Sequence, residues 1–260
     1  MQNALLGGAV ISIVCGIISV FVVLRRTGFA AHALGHMSLT GAAGAALLGI
    51  PSFLGQIVLN TIASIIMGLM GEKVKKNDQA IGVVLTFVLG LGTYFLFLFQ
   101  NNYAGSVMGI LLGNIFAVSD AQIYQLMMIG LVVVSIMAII ARPLIFTTLD
   151  PIVADSKGVS GKLLSVIFFV LLACTVSMAC QIVGVLLVFV LLIIPGAIGT
   201  QWGKSIYSIV GFSVLSSLIS VISAIFVSYQ FDLPVSFCIT MILCTAYFIG
   251  ICYRFIVFRR

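Results

Sequence analysis

His32 and His36 stand four residues apart in a stretch, residues 29–49, that holds no Asp, Glu, Lys or Arg. Residues at that spacing share a helix face, so both imidazoles point the same way. A titratable group at membrane depth is costly and faces a cavity or a partner rather than lipid. Neutral imidazole is a common ligand for zinc and related metals. The pair is the first candidate metal site of the chain, on condition that its helix is embedded in a membrane.

Composition supplies that condition. Of the 260 residues, 62% are hydrophobic and only 7% charged, and the mean hydropathy is +1.34. A soluble domain carries about 25% charged residues, so this chain could not solvate its own surface. It reads as an all-α, polytopic membrane protein, one transmembrane domain over 1–260. Apolar runs of about 20 residues mark the spans: 4–24, 29–50, 53–70, 80–99, 121–141, 163–180, 182–199, 206–229 and 235–253. The stretch 105–118 is too short to cross alone and reads as a broken or re-entrant helix. The fifth span is expected to stop at Arg142-Pro143, and a polar connection, about 147–162, leads to the sixth.

Basic residues collect in cytoplasmic loops. With the N-terminus outside and nine alternating spans, all 12 fall on the cytoplasmic side: Arg25, Arg26, Lys73, Lys75, Lys76, Arg142, Lys157, Lys162, Lys204, Arg254, Arg259 and Arg260. The net charge of +6 then reflects orientation and contact with anionic lipid heads, not nucleic-acid binding. The first 24 residues lack a basic leader and a clear cleavage site, and read as a retained span. Asp120 and Asp232 are the carboxylates assigned to the outer side, where solvated or capping roles suffice. Trp202 reads as an interfacial anchor.

Other motifs carry less. The six cysteines lie within spans without a Cys-x-x-Cys pair and read as small buried apolar residues. Gly105, Gly109 and Gly113 form a small-xxx-small row that lets helices approach closely in lipid. Gly158-Val-Ser160-Gly161 matches the Gly-x-Ser-Gly pattern of intramembrane serine proteases. Such an enzyme needs its serine buried beside a histidine base, whereas Ser160 lies in a charged loop far from both histidines. A phosphate loop at Gly161-Lys162 would need glycine and Ser or Thr where Ser156 and Leu163 stand. No catalytic residue emerges. The same loop reads as a short helix: Asp150 and Pro151 are a good helix start, and Gly158 stands where that helix would end.

Five segments together resemble the permeases of the divalent-metal ABC importers, the zinc, manganese and iron type. Residues 29–36, containing both histidines, resemble the family's second-span motif Gly-Asp-Ala-Leu-Ser-His-Ala. Residues 108–119 resemble its Leu-Phe-Gly-Asp segment. Asp150-Pro151-x-x-Ala154-x-x-x-Gly158 resembles its coupling loop. Residues 184–197 resemble the segment ending in Leu-Ile-Pro-Ala, and residues 231–236 its Asp-x-Pro-x-Gly turn. Two acidic positions of the family pattern are occupied by His32 and Asn114. The resemblance implies a type II ABC importer-like fold and a transport subunit that is not itself an enzyme. It also implies a second permease copy, two cytoplasmic ATPase subunits docked on the coupling helix, and an extracytoplasmic metal-binding protein, in the bacterial cell (inner) membrane. No intrinsic cofactor is expected, only the transported divalent metal. Ligand softness leans toward zinc, because manganese prefers oxygen; manganese, iron or a metal chelate such as a siderophore are the alternatives. An ion-driven secondary carrier would need an intramembrane carboxylate, and no Asp or Glu lies clearly mid-span.

Overall fold

A bilayer interior offers no water to satisfy backbone groups, so each apolar run must close its own hydrogen bonds as a helix. The computed structural model describes residues 1–69, 78–98, 113 and 115–258. Nine long helices and one short one are found there: α1 (Gln2–Leu24), α2 (Gly28–Leu47), α3 (Ser52–Leu69), α4 (Asp78–Leu98), α5 (Asp120–Leu149), α6 (Pro151–Ser156), α7 (Gly161–Val183), α8 (Val185–Trp202), α9 (Ile206–Phe231) and α10 (Val235–Phe258). A single 3-10 turn, Ile115–Ala117, precedes α5. No strand occurs among the described residues. Gly105, Gly109, Asn114 and the lysines at 73, 75 and 76 lie outside them, as does most of the stretch read as a re-entrant helix. Eight of the nine long helices are long and apolar enough to cross a membrane; α2 is not among the eight.

Two boundaries differ from the sequence reading. The fifth span does not stop at Arg142-Pro143: α5 continues through Pro143 to Leu149. Proline removes one backbone donor and crowds the preceding turn, but the turn beyond it is held by packing, with Leu144 fully buried and Thr147 nearly so. At 30 residues, α5 is about 45 Å long, enough to leave the bilayer at one end. The break between the sixth and seventh spans falls at Gly184, not before Ile182, because only Gly184 has the positive φ, 83°, needed to reverse direction. Gly113, also at positive φ, packs so closely on Val183 and Gly184 that a Cβ there would strike their backbone.

Close helix approach holds the bundle together. Gly41 of α2 and Gly55 of α3 meet backbone to backbone, and a Cβ on Gly41 would stand 2.6 Å from the Gly55 carbonyl oxygen. On the far side of the bundle, Gly16 of α1 packs on Val214 of α9, and the Ser213 hydroxyl donates to the Gly16 carbonyl at 2.7 Å. Pro195 lies inside α8; the next amide, Gly196 N–H, donates to Ser19 Oγ of α1 at 2.7 Å. Small residues and hydroxyls are what such crossings require in lipid, where apolar side chains alone give helices little reason to associate.

The bundle has two chemically distinct ends. At one, Asn3 Nδ2 donates to Asp120 Oδ1 at 2.7 Å, and Met1 shares a small cleft with Asp232. At the other, Arg25 gathers three helix ends. Its guanidinium donates to Ser165 Oγ at 2.7 Å and Thr148 Oγ1 at 3.4 Å and lies over the Phe168 ring. Burial holds it below its usual pKa, though an arginine remains protonated throughout the working range. Arg142 reaches Tyr207 at this same end, and Lys157 covers Phe146. The described basic residues thus cluster at the Arg25 end.

Replacing Gly41 by Val is expected to destabilise the protein by about 1–3 kcal/mol, the usual cost of overpacking, because neither backbone at the α2–α3 crossing can yield. Thermal unfolding in detergent measures it; an unchanged midpoint would show that the crossing is looser than described.

Candidate metal pathway

α2 explains its own low hydropathy once its surroundings are known. Gly41 brings α3 against it, Thr40 Oγ1 donates to the Val88 carbonyl of α4 at 3.1 Å, and Gly35 packs on Val185 of α8. Ala30, Ala31, Ala33, Leu34, Met37 and Ala42 are buried. A helix enclosed by protein need not be lipid-soluble. One stripe remains open: exposed Phe29, then half-buried His32, His36 and Leu39. Both histidines therefore lie on the side of α2 that the chain itself leaves uncovered.

The two rings are neighbours, with centroids 4.5 Å apart and planes at 81°. Phe189 of α8 meets His32 edge-on at 4.7 Å, and Leu186, one turn earlier, is exposed. Histidines at this spacing can chelate one metal ion from a single helix face. Among the described residues, no group of three or more His, Cys, Asp or Glu converges on one point. Among its described residues, one chain thus presents two imidazoles and no carboxylate beside them.

The sequence reading overlooked a second polar region. Gln56, Asn60 and Ser64 recur every fourth residue on α3, and all three are fully buried or nearly so. Asn60 Nδ2 donates to Ser38 Oγ of α2 at 2.6 Å and to Ser177 Oγ of α7 at 2.9 Å. Ser38 in turn donates to the Leu34 carbonyl. The amide oxygens tell a different story: Gln56 Oε1 and Asn60 Oδ1 are buried without a hydrogen-bond partner. Gln56 also forms part of the wall of a cleft of about 740 Å³ at the Asp120 end, lined with Gln125 and Gln181 among others. Amides spaced four apart in an apolar helix were the available signal.

The short helix α6 follows the start and stop read from sequence. Asp150 Oδ1 accepts the Val153 N–H at 3.1 Å, Pro151 occupies the first turn, and Gly158 at φ 74° ends it. A β-carbon there would be strained by the backbone alone. Ala154 is buried, while Ile152 is 81% exposed and Leu149 and Val153 are exposed beside it. Asp150, Pro151, Ala154 and Gly158 thus build a knob with an apolar tip at the Arg25 end. The tip of α6 and the His32–His36 stripe are thus both surfaces that one chain leaves uncovered.

Relatives give these surfaces a context. Residues 1–254 match the ABC 3 transport family. The manganese import system permease protein ScaB of Streptococcus parasanguinis is 32% identical over 242 residues, covering 93% of this chain and 86% of that protein. A probable iron transport system membrane protein of Haemophilus influenzae is 29% identical, covering 97% and 93%. Among solved structures, PsaBC from Streptococcus pneumoniae in complex with Fab superimposes with a TM-score of 0.84 at 28% identity, covering 96% of this chain and 90% of that one. An inward-facing conformation of a putative metal-chelate type ABC transporter shares the fold, with a TM-score of 0.74 at 16% identity. With that match along nearly its whole length, the chain belongs to the ABC 3 transport family and is a multi-pass membrane permease.

Proposed function

We propose that this chain is the permease subunit of an ATP-driven importer for a divalent transition metal, with manganese the leading cargo. The observation that carries the reading is the imidazole pair on the one open stripe of an otherwise enclosed helix. A second copy apposed at that stripe brings four imidazoles to one axis, two from each α2. The whole chain then acts as one transmembrane unit, with the N-terminus outside and the Arg25 end in the cytoplasm, as the basic cluster favours.

Softness alone points His32 and His36 toward zinc. Against that, the relatives named above carry manganese and iron in their names, and uncharged imidazoles can pass a harder ion as well as hold a softer one. A site in a pathway must release its ion, so a sparse, neutral shell serves transport better than a full one. Cargo charge is offset chiefly by retained water. ATP hydrolysis belongs to two partner subunits that seat the apolar tip of α6, and an extracytoplasmic binding protein delivers the metal at the Asp120 end.

Two outcomes are expected. In proteoliposomes holding the permease, its ATPase and its binding protein, ATP-dependent manganese uptake should fall at least about tenfold in His32→Ala/His36→Ala, equivalent to about 1.4 kcal/mol of lost stabilisation. Competition with iron(II) and zinc in the same vesicles ranks the cargo; uptake without the ATPase would favour a secondary carrier and overturn the importer. For the coupling surface, Ile152→Asp should leave the permease folded but abolish co-purification of the ATPase. Asp150→Ala, which removes a cap worth about 1 kcal/mol, should weaken that co-purification. Full ATPase retention in both variants would remove α6 from the docking surface.

A further inference from the structure

α1 has an open side of its own. Gly8 and Gly16 of that helix meet α9 at Val221, Ile225 and Val214, while Val10 and Val14 meet Gly130 of α5. At about 100° per residue, Leu6, Ile13 and Ile17 fall on the arc between those two contacts, and Leu6 and Ile13 are exposed there. α5 and α9 each lie closer to α1 than to one another. They form the walls of an apolar groove that has α1 as its floor. Leu131 and Ala138 stand on one wall, Gly211 and Leu215 on the other, and all four are exposed. A Cβ on Gly211 would meet no atom within 4 Å, so that wall is open down to the backbone.

Positive charge marks one end of the groove. Arg142 stands one turn beyond Ala138, and its Nη2 reaches Tyr207 Oη of α9 at 3.5 Å, one turn before Gly211. That contact uses one of five guanidinium N–H groups. Lys204 is exposed three residues before Tyr207. Depth fixes what these groups meet. From Asp120 to Arg142, α5 rises about 33 Å, just past a hydrocarbon core of about 30 Å. The cationic end therefore stands at headgroup level, and Leu131, about 16 Å back along the helix, stands near the bilayer midplane. The groove from Arg142 to Leu131 is one leaflet long.

We propose that this groove holds an anionic phospholipid, its phosphate on Arg142, Tyr207 and Lys204 and one acyl chain lying along α1 between Leu131 and Leu215. A guanidinium fork suits phosphate oxygens, and two cations at the membrane surface favour an anionic headgroup over a zwitterionic one. The second permease copy proposed above sits elsewhere: α8, whose Phe189 borders the His32 stripe, packs on the other side of α1 through Gly196 and Ser19. The groove then faces the bilayer. A lipid seated there joins α5 to α9, which the protein alone leaves apart. The importer reading enters only through the seat of the second copy and the leaflet that supplies the lipid; the cargo plays no part.

The test is native mass spectrometry of the full-length permease, with the subunits that co-purify, titrated with phosphatidylglycerol or with phosphatidylcholine of the same acyl chains. One phosphatidylglycerol per permease chain should bind at least about fivefold more tightly than phosphatidylcholine. Arg142→Gln/Lys204→Gln should abolish that preference, at about fivefold per cation, and leave phosphatidylcholine binding unchanged. Gly211→Leu fills the groove from a position that has room for a side chain; it should weaken both lipids while the protein still elutes as a single folded species. Equal affinity for the two lipids, or full retention of phosphatidylglycerol in the double variant, would overturn the site. So would Gly211→Leu splitting permease dimers into single chains with lipid affinity unchanged, because the groove would then seat the second copy. A sample without any ATPase subunit would count against the importer reading and leave the lipid result standing.

Discussion

A helix that carries two histidines, a serine and a threonine among alanines and glycines is poorly suited to hydrocarbon, and the rest of the bundle is arranged around that constraint. α2 is enclosed by α3, α4, α7 and α8, with the Gly41–Gly55 crossing setting how near α3 comes. Because α3 comes so near, Asn60 reaches Ser38 across the crossing. Enclosure on those sides forces the remaining polar groups, His32 and His36, onto the open stripe. A burial requirement and a functional surface are therefore two faces of one packing arrangement.

Much of this is legible in the chain because apolar runs and punctuation are independent signals that agree. The runs locate every long helix except α5 to within five residues at each end, and Asp150, Pro151 and Gly158 mark a six-residue helix that hydropathy alone could not detect. The failures have physical causes. Pro143 reads as a stop in a soluble helix, yet buried Leu144 and Thr147 hold the turn beyond it. The apolar run from Ile182 reads as the start of a span, but the reversal needs the positive φ that Gly184 adopts. Gln56 and Asn60 were passed over because span reading scores amides as tolerated polarity. Whether an amide is satisfied depends on helices α2 and α7, which are distant in sequence and meet only in the fold.

The Arg25 end joins three helices without a buried ion pair among the described residues. No described carboxylate meets the Arg25 guanidinium; it is held by two hydroxyls and an aromatic face, on α5 and α7. Those are the helices that flank α6. Hydroxyl and cation–π contacts each contribute of order 1 kcal/mol, weaker than a desolvated ion pair, so the three helix ends are joined but not locked. In the proposed importer, a push on the apolar tip of α6 would be felt first by the ends of α5 and α7, and through Arg25 by α1.

Neutrality of the imidazole pair follows from the same economy of charge. A carboxylate buried beside α2 would have to be ionised to bind a dication, and its desolvation would cost several kcal/mol whenever the site stood empty. Imidazole groups carry no such penalty between ions, so the empty and loaded states of the bundle differ little in energy. What neutrality gives up is affinity; in the proposed importer, directionality would come from delivery at one end and from ATP-driven movement of α6 at the other. On this reasoning the absence of a mid-span carboxylate fits a chain whose driving force comes from its partners.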